Sequence, residues 1–452
     1  MRSIKKSANN QPLFPPTGNQ QPTPDNRVHI LISTTTELFT EVQLQNGLRV
    51  ILHEDHTTPM VTINLLYHVG SKNEQIGRTG FAHLFEHLMF EGSRNIPRGA
   101  YDTWCTSVGG DNNAFTSSDV TSYYISLPSS HLALGLWLES DRMAEFAIEE
   151  TSLRTQQSVI AEEKRQTVDE TPYGSAQVVL HELSFAAPHP YSWETIGSME
   201  DVAAATMQDV REFYQRFYVP ANAVLVVAGD FNPDDAMPLI QGYFSTIPSG
   251  THAQLPNADP LLRCYGNHRL LSDRTIAHHA AFVAWHVPSL RDADNPACDL
   301  LTGILGDGES CRLFRELEYD LEIANETGCY LDEGELGSLL VVYAVAQSNR
   351  TSPERLTEAL IAVVRKIAED GVTERELEKA RNRKMTSITH ALQSVSSRAE
   401  RLAICAALLD NPALAFSEAE LYSSVTADDV QRVARQYLCD AQPNVVEYRA
   451  IR

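Results

Sequence analysis

His83-Leu84-Phe85-Glu86-His87 sets two imidazoles four residues apart with a carboxylate between them, inside an apolar run that reads as helix. At about 3.6 residues per turn the two rings share one helix face and can reach one metal ion, with Glu86 beside it. In 452 residues with 15 His, such a pentamer is expected only roughly 0.06 times by chance. The neighbours Phe81, Leu84, Phe85, Leu88 and Met89 make this a largely buried helix. Buried imidazoles and carboxylates are costly without a partner, and zinc is the partner that suits this pair.

Catalytic zinc takes three protein ligands and leaves a position for water. The third is sought in Val159-Ile160-Ala161-Glu162-Glu163-Lys164-Arg165, on a second helix that Thr151 or Ser152 would cap and Pro172 would limit. Glu163 follows His87 with 75 residues between them. Glu162 points about a third of a turn away, and the residues alone leave both carboxylates open. Glu170, seven residues beyond Glu163 on the same face of a continuous helix, is expected to orient the ligands or the water. The plain alternative is a solvated acidic face paired with Lys164 and Arg165.

At this point the chain resembles the pitrilysin, insulysin and mitochondrial processing peptidase family, whose inverted motif His-x-x-Glu-His is followed by a distant Glu. The resemblance runs from about residue 37 onward. Leu44 to Leu52, Val69-Gly70-Ser71, Gly109 to Thr116, Leu138 to Met143, His189-Pro190-Tyr191 and Ala228-Gly229-Asp230 extend it. It implies one Zn2+ per chain held by His83, His87 and Glu163, with Glu86 as general base for a zinc-activated water. An extended peptide substrate is expected as an added strand along the sheet edge Asn113-Ala114-Phe115-Thr116, with Asn113, Ala114 and Phe115 as the substrate-binding residues.

The chain also repeats itself. Thr206-Met207-Gln208-Asp209-Val210 opens a helix that leads to a strand at Ala223 to Gly229, and Thr426-Ala427-Asp428-Asp429-Val430 does the same 220 residues later before a strand near Val445 to Tyr448. Both openings read as Thr N-caps with an acid three residues on. Strand Thr121 to Leu127 with a helix from Ser130 matches strand Ser338 to Ala346 with a helix from Ser352-Pro353. The fold class is therefore α+β, two homologous domains from an internal duplication, each a mostly antiparallel sheet covered by helices. The expected organisation is a disordered N-terminal arm over 1–36, a catalytic zinc domain over 37–247, a linker over 248–262 and a non-catalytic domain over 263–452.

Projected by the repeat offset, the metal motif lands near Thr302 to Gly306, which carries no ligand-type side chain, so only the first copy is catalytic. In the resembled family an Arg and a Tyr seven residues apart grip the substrate backbone; Glu318 and Asn325 stand in their places here. Either Arg312, Arg315 or Tyr319 substitutes from a shifted position, or the gripping pair comes from a homologous partner subunit. The second reading is preferred, and makes this chain the catalytic subunit of a heterodimer.

A formal charge of −23 speaks against nucleic acid; it serves solubility or favours cationic peptides. No apolar stretch reaches the roughly 18 residues of a membrane span. The basic but Pro-rich start lacks the apolar core of an export signal, and its prolines disfavour the amphipathic helix of a transit peptide, so the expected location is cytoplasmic. Seven scattered cysteines without a Cys-x-x-Cys pair fit a reducing compartment. Two alternatives share this pattern: a dedicated leader-peptide processing protease, and a non-catalytic structural subunit of the same fold.

Overall fold

The structure, a computed structural model, describes residues 32–35, 38–256 and 258–451. Of the expected arm, only Ile32–Thr35 lies among them, and it is a strand rather than a disordered stretch. Residues 1–31 and 36 fall outside the described residues.

Seven strands form the first sheet: β1 (Ile32–Thr35), β2 (Thr40–Gln43), β3 (Arg49–Glu54), β4 (Met60–Tyr67), β5 (Asp111–Thr116), β6 (Thr121–Pro128) and β7 (Ala223–Gly229), in the order β1-β2-β3-β7-β4-β6-β5. Five form the second: β8 (His268–Asp273), β9 (Ala280–Val287), β10 (Ala324–Asp332), β11 (Ser338–Ala346) and β12 (Asn444–Ala450), in the order β10-β11-β9-β12-β8. Each sheet is antiparallel except for one pair, β3 with β7 and β8 with β12. The order β3-β7-β4-β6-β5 maps onto β8-β12-β9-β11-β10 with the parallel pair in the same place. The duplication read from local patterns is thus a duplication of topology.

Thr206 and Thr426 cap their helices as expected. In each case the Thr hydroxyl accepts from the backbone N–H of the Asp three residues on, and that Asp carboxylate accepts from the Thr N–H. This satisfies two of the donors that a helix start leaves free. Strand β7, Ala-Val-Leu-Val-Val-Ala-Gly, is buried along its whole length because helices lie on both faces of its sheet, which is why it shows no polar alternation.

The two halves exchange helices. One face of the first sheet carries Phe81–Leu88, Leu132–Ala144, Met207–Phe217 and Pro233–Phe244 from its own half. The other face is covered by Val395–Leu409 from the second half, whose Ala399, Leu402, Ala403 and Ala406 pack on Ile51, Leu66, Val224 and Val226. Reciprocally, Ala176–Ser184 from the first half lays Val179, Leu180 and Leu183 on the second sheet against Ala284, Leu339 and Val446. The repeated alanines let the helix backbone approach the sheet closely, so each sheet completes its core with a helix from the other half.

No single helix among the described residues is long and apolar enough to cross a membrane. Helix Val395–Leu409 with its bent neighbour Leu414–Ser423 comes nearest by composition, and its apolar face is spent on the first sheet. All seven cysteines are unpaired.

Candidate metal centre

The zinc-motif pentamer lies on helix Phe81–Leu88. Phe81, Ala82, Leu84, Phe85 and Leu88 are buried in the core, which turns His83, Glu86 and His87 to the opposite face. Gly80 starts the helix at φ 82°, and a β-carbon there would lie 2.7 Å from the Ile196 carbonyl oxygen, so the position requires glycine. Having no side chain, Gly80 cannot cap the helix; Glu74 does so from six residues upstream. Its Oε2 accepts from Gly80 N–H at 2.9 Å and its Oε1 from Ala82 N–H at 2.7 Å. Burial pushes this carboxyl up to about 8 despite those donors. Beyond the helix, Asp141 accepts from Ser93 and from Asn95 and so ties down the following loop. The buried Arg142, paired with Glu139, is packed among Phe90, Tyr101 and Tyr123.

Glu163 comes from helix Glu150–Lys164, which begins with Glu149 as N-cap, Glu150 in its first turn and no side-chain cap, so neither Thr151 nor Ser152 has the capping role expected of it. Its Oε1 lies 3.6 Å from His83 Nε2 and its Oε2 lies 3.4 Å from His87 Nε2. The three ligand atoms lie within 4.8 Å of one another, and this is the one such cluster of three among the described residues. These separations are long for hydrogen bonds. Each imidazole faces a different oxygen of the carboxylate, and two ligands of one zinc ion stand about 3.4 Å apart when its bonds are about 2.0–2.1 Å, so the spacing is of the size that such an ion spans. Two imidazoles and a carboxylate in that arrangement fit a zinc ion. Burial, with a contribution from His87, lowers the His83 imidazole to about 4, leaving it neutral and free to ligate near neutral pH. Glu162 faces away and pairs with Arg165 at 2.6 Å.

Glu170 does not reach the site. The chain from Arg165 to Asp169 forms a π-helical turn, with Glu170 N–H donating to Arg165 C=O at 2.8 Å. That wider turn inserts a residue into the helical period, so a position seven residues on no longer shares the face of Glu163. The Glu170 carboxylate lies outward, on the Arg165 guanidinium. The orienting place is taken by Gln156, one residue the sequence reading did not single out, seven positions before Glu163 where the helix is regular. Gln156 Nε2 donates to Glu91 Oε1 at 2.7 Å, which aims the amide oxygen at His87 Nδ1, 3.1 Å away. His87 therefore donates from Nδ1 and keeps the Nε2 lone pair towards the cluster. His83 Nδ1 is buried without a partner among the described residues.

Glu86 is fixed by Thr116, whose hydroxyl donates to Glu86 Oε2 at 2.6 Å. Burial raises the Glu86 carboxyl above its ordinary value. Thr116 ends β5, the edge strand whose outer side has no strand partner among the described residues. Along β5, Ala114 and Thr116 face the metal side while Phe115 turns to the opposite face; Asn113 is exposed and accepts from the Ala114 N–H. Thr116 lies in the stretch expected to pair with substrate, but its hold on Glu86 was not readable from the strand pattern, and Glu74, in an irregular loop, was not readable as a site residue at all.

In the second half, Thr302 to Gly306 lies within helix Asn295–Gly306 and offers no ligand. Glu318 accepts from Thr327 Oγ1 at 2.7 Å, and Asn325 is exposed on β10. Arg312 is engaged by Glu376 at 2.7 Å, whereas Arg315 and Tyr319 are exposed.

Fold and cluster together define a class: a duplicated α+β chain bearing a His2Glu centre of the inverted zinc-peptidase kind. The sequence profile described as Insulinase (Peptidase family M16) matches residues 49–191, and that of the Peptidase M16 inactive domain matches residues 204–384. Zinc protease PqqE of Helicobacter pylori is 28% identical over 408 residues, covering 90% of this chain and 91% of its own. The crystal structure of a protease from Helicobacter pylori superposes with a TM-score of 0.84 at 26% identity, over 91% of this chain and 99% of that one. The periplasmic protease PqqL from Escherichia coli shares the fold (TM-score 0.74, 21% identity), but there 93% of this chain corresponds to 48% of the other. The chain belongs to the insulinase family, peptidase family M16.

Proposed function

We propose that this chain is a zinc-dependent endopeptidase acting on extended peptides, with His83, His87 and Glu163 as ligands and Glu86 as general base. The observation that carries the reading is the spacing of 3.4 and 3.6 Å between Glu163 and the two imidazoles, brought together from two helices. Bound there, zinc would supply Lewis acidity to a water and to the scissile carbonyl. Glu86, held in place by Thr116, accepts the proton of the attacking water and delivers it to the departing amine. Gln156 holds His87 in the ligating tautomer. The open edge of β5 offers its backbone N–H and C=O groups to a peptide in strand conformation, so Asn113, Ala114 and Phe115 position substrate by main-chain pairing.

A homologous partner subunit supplying the substrate-gripping Arg and Tyr completes the reading. It is supported by the engagement of Arg312 with Glu376, by Glu318 and Asn325 at the expected positions, and by the double-length PqqL, of which this chain matches about half. A structural subunit is the second reading, favoured by the inactive-domain profile; that profile falls on 204–384 and leaves the metal cluster outside it. Unpaired thiols support a cytoplasmic location, whereas the structurally similar PqqL is described as periplasmic; fractionation decides between them.

The test is Glu86→Gln. The variant should keep one zinc per chain and lose peptidase activity by about 10²–10⁴-fold relative to the parent, measured with and without candidate partners. Full turnover by the zinc-loaded variant excludes Glu86 as the base, and a parent chain that takes up no zinc excludes the enzyme reading altogether.

A further inference from the structure

Behind the edge strand lies a cavity of about 1030 Å³, between the first sheet and the second half of the chain. Its apolar wall is made by Phe115, Leu290, Ile404, Leu408, Leu414 and Leu421. Among the described residues each cation around it is paired, Arg291 with Glu335, Arg401 with Glu418, Arg432 with Asp294, and Lys384 with Asp299, while Asp292 and Glu333 add carboxylates without a cation partner. Such a site offers no free cation to an anionic group, and its apolar wall is what it presents to a ligand.

Its position relative to β5 gives it an occupant. Successive strand residues point to opposite faces, and here Thr116 reaches Glu86 on the metal face while Phe115 packs into the cluster that contains Ile404 and Leu408. In a peptide paired to β5, the residue opposite Phe115 has its β-carbon roughly 4.5–5.5 Å away on the same face. Its side chain is therefore delivered to the cavity mouth when its neighbour faces the metal ligands. We propose that this cavity is a specificity pocket that takes a large apolar side chain, such as Leu, Phe or Met, from the substrate residue adjacent to the one at the metal. The proposal rests on the peptidase reading above and names the class of peptide it selects. It also assigns the second half a part in substrate choice, since most of the apolar wall comes from residues 290–425, with Phe115 and Val120 from the first half.

The experiment uses the zinc-loaded chain, with and without candidate partner subunits, and a set of otherwise identical peptides in which a single Phe is moved through the positions flanking the scissile bond of an Ala-rich sequence. At one position Phe should raise kcat/KM over Ala by about tenfold or more, the scale expected for added apolar groups in a pocket. Ile404→Trp, which narrows the cavity beside Phe115, should reduce that ratio to within about twofold; Leu421→Trp, at a more exposed part of the wall, serves if Ile404→Trp does not fold. The same Phe/Ala ratio is read as binding by fluorescence anisotropy on the zinc-loaded Glu86→Gln protein, which needs no turnover. Cleavage without a Phe preference at any position, or a ratio that both Trp variants leave intact, overturns the pocket and spares the peptidase reading. Absence of cleavage both alone and with every candidate partner, with a Phe-dependent affinity, sinks the peptidase reading and keeps the pocket; absence of both sinks both.

Discussion

The Lys72 ammonium lies 2.7 Å from Glu335 Oε2 with neither side chain exposed beyond 1%, joining the loop ahead of the zinc-motif helix to the hairpin between β10 and β11. Asp119 Oδ1 stands 2.9 Å from the same ammonium, and His68 and Arg291 also donate to Glu335. Removing one member of such a buried group leaves the others uncompensated. Lys72→Met should therefore cost about 3–5 kcal/mol in urea unfolding. The double variant Lys72→Met/Glu335→Gln should recover part of it. A loss below about 1 kcal/mol in the single variant would show the pair to be dispensable.

Burial alone would raise the Glu335 carboxyl, but the hydrogen bond from His68 and the charge of Lys72 more than offset it and hold it down to about 2. Its folded value lies below its ordinary 4.5, so the folded state binds this proton more weakly than the unfolded one. The stabilisation is complete above about pH 4.5 and is lost as pH falls towards about 2. Urea midpoints measured across that window should fall more steeply for the parent than for Glu335→Gln. Parallel curves would contradict the assignment.

Thr116 touches Glu86 and no ligand. Thr116→Val keeps the shape and removes the donor, so zinc content should be unchanged while kcat drops about tenfold, the scale of a lost hydrogen bond to a charged group. An unaltered kcat in a zinc-replete variant would remove Thr116 from the mechanism.

Gln156 acts through His87, and its effect should appear in metal retention. Gln156→Met should weaken zinc affinity by about 10–100-fold, measured by competition with a chelator. Exchanging the roles, with Gln156→Glu and Glu91→Gln together, preserves an acceptor for His87 Nδ1 and a donor to that acceptor, and should restore binding. Equal zinc affinity in the parent and Gln156→Met would leave Gln156 as packing only.

Much of the architecture was legible because it is written in short range. The Thr206 and Thr426 caps, β11 and the helix after Ser352-Pro353 follow from residues within a few positions of each other, and helix 81–88 follows from its apolar spacing. Glu170 shows where this reasoning stops. A count of seven assumes an unbroken helical period, and the π turn at Arg165–Asp169 breaks it. Ile32–Thr35 shows the same limit from the other side, since an edge strand made by pairing with β2 has little signature of its own.

The amino-acid sequence by itself determined the two copies of the α+β unit, the His83/Glu86/His87 face and the presence of a carboxylate at the right separation, because each rests on periodicity or on the chemistry of a donor set. Only the tertiary structure decided that Glu163 and not Glu162 meets the imidazoles, that Gln156 orients His87, and that helices Ala176–Ser184 and Val395–Leu409 each cover the other half's sheet. An amphipathic pattern specifies that a helix has an apolar face. Which sheet receives that face depends on how the whole chain packs, through contacts between residues hundreds of positions apart.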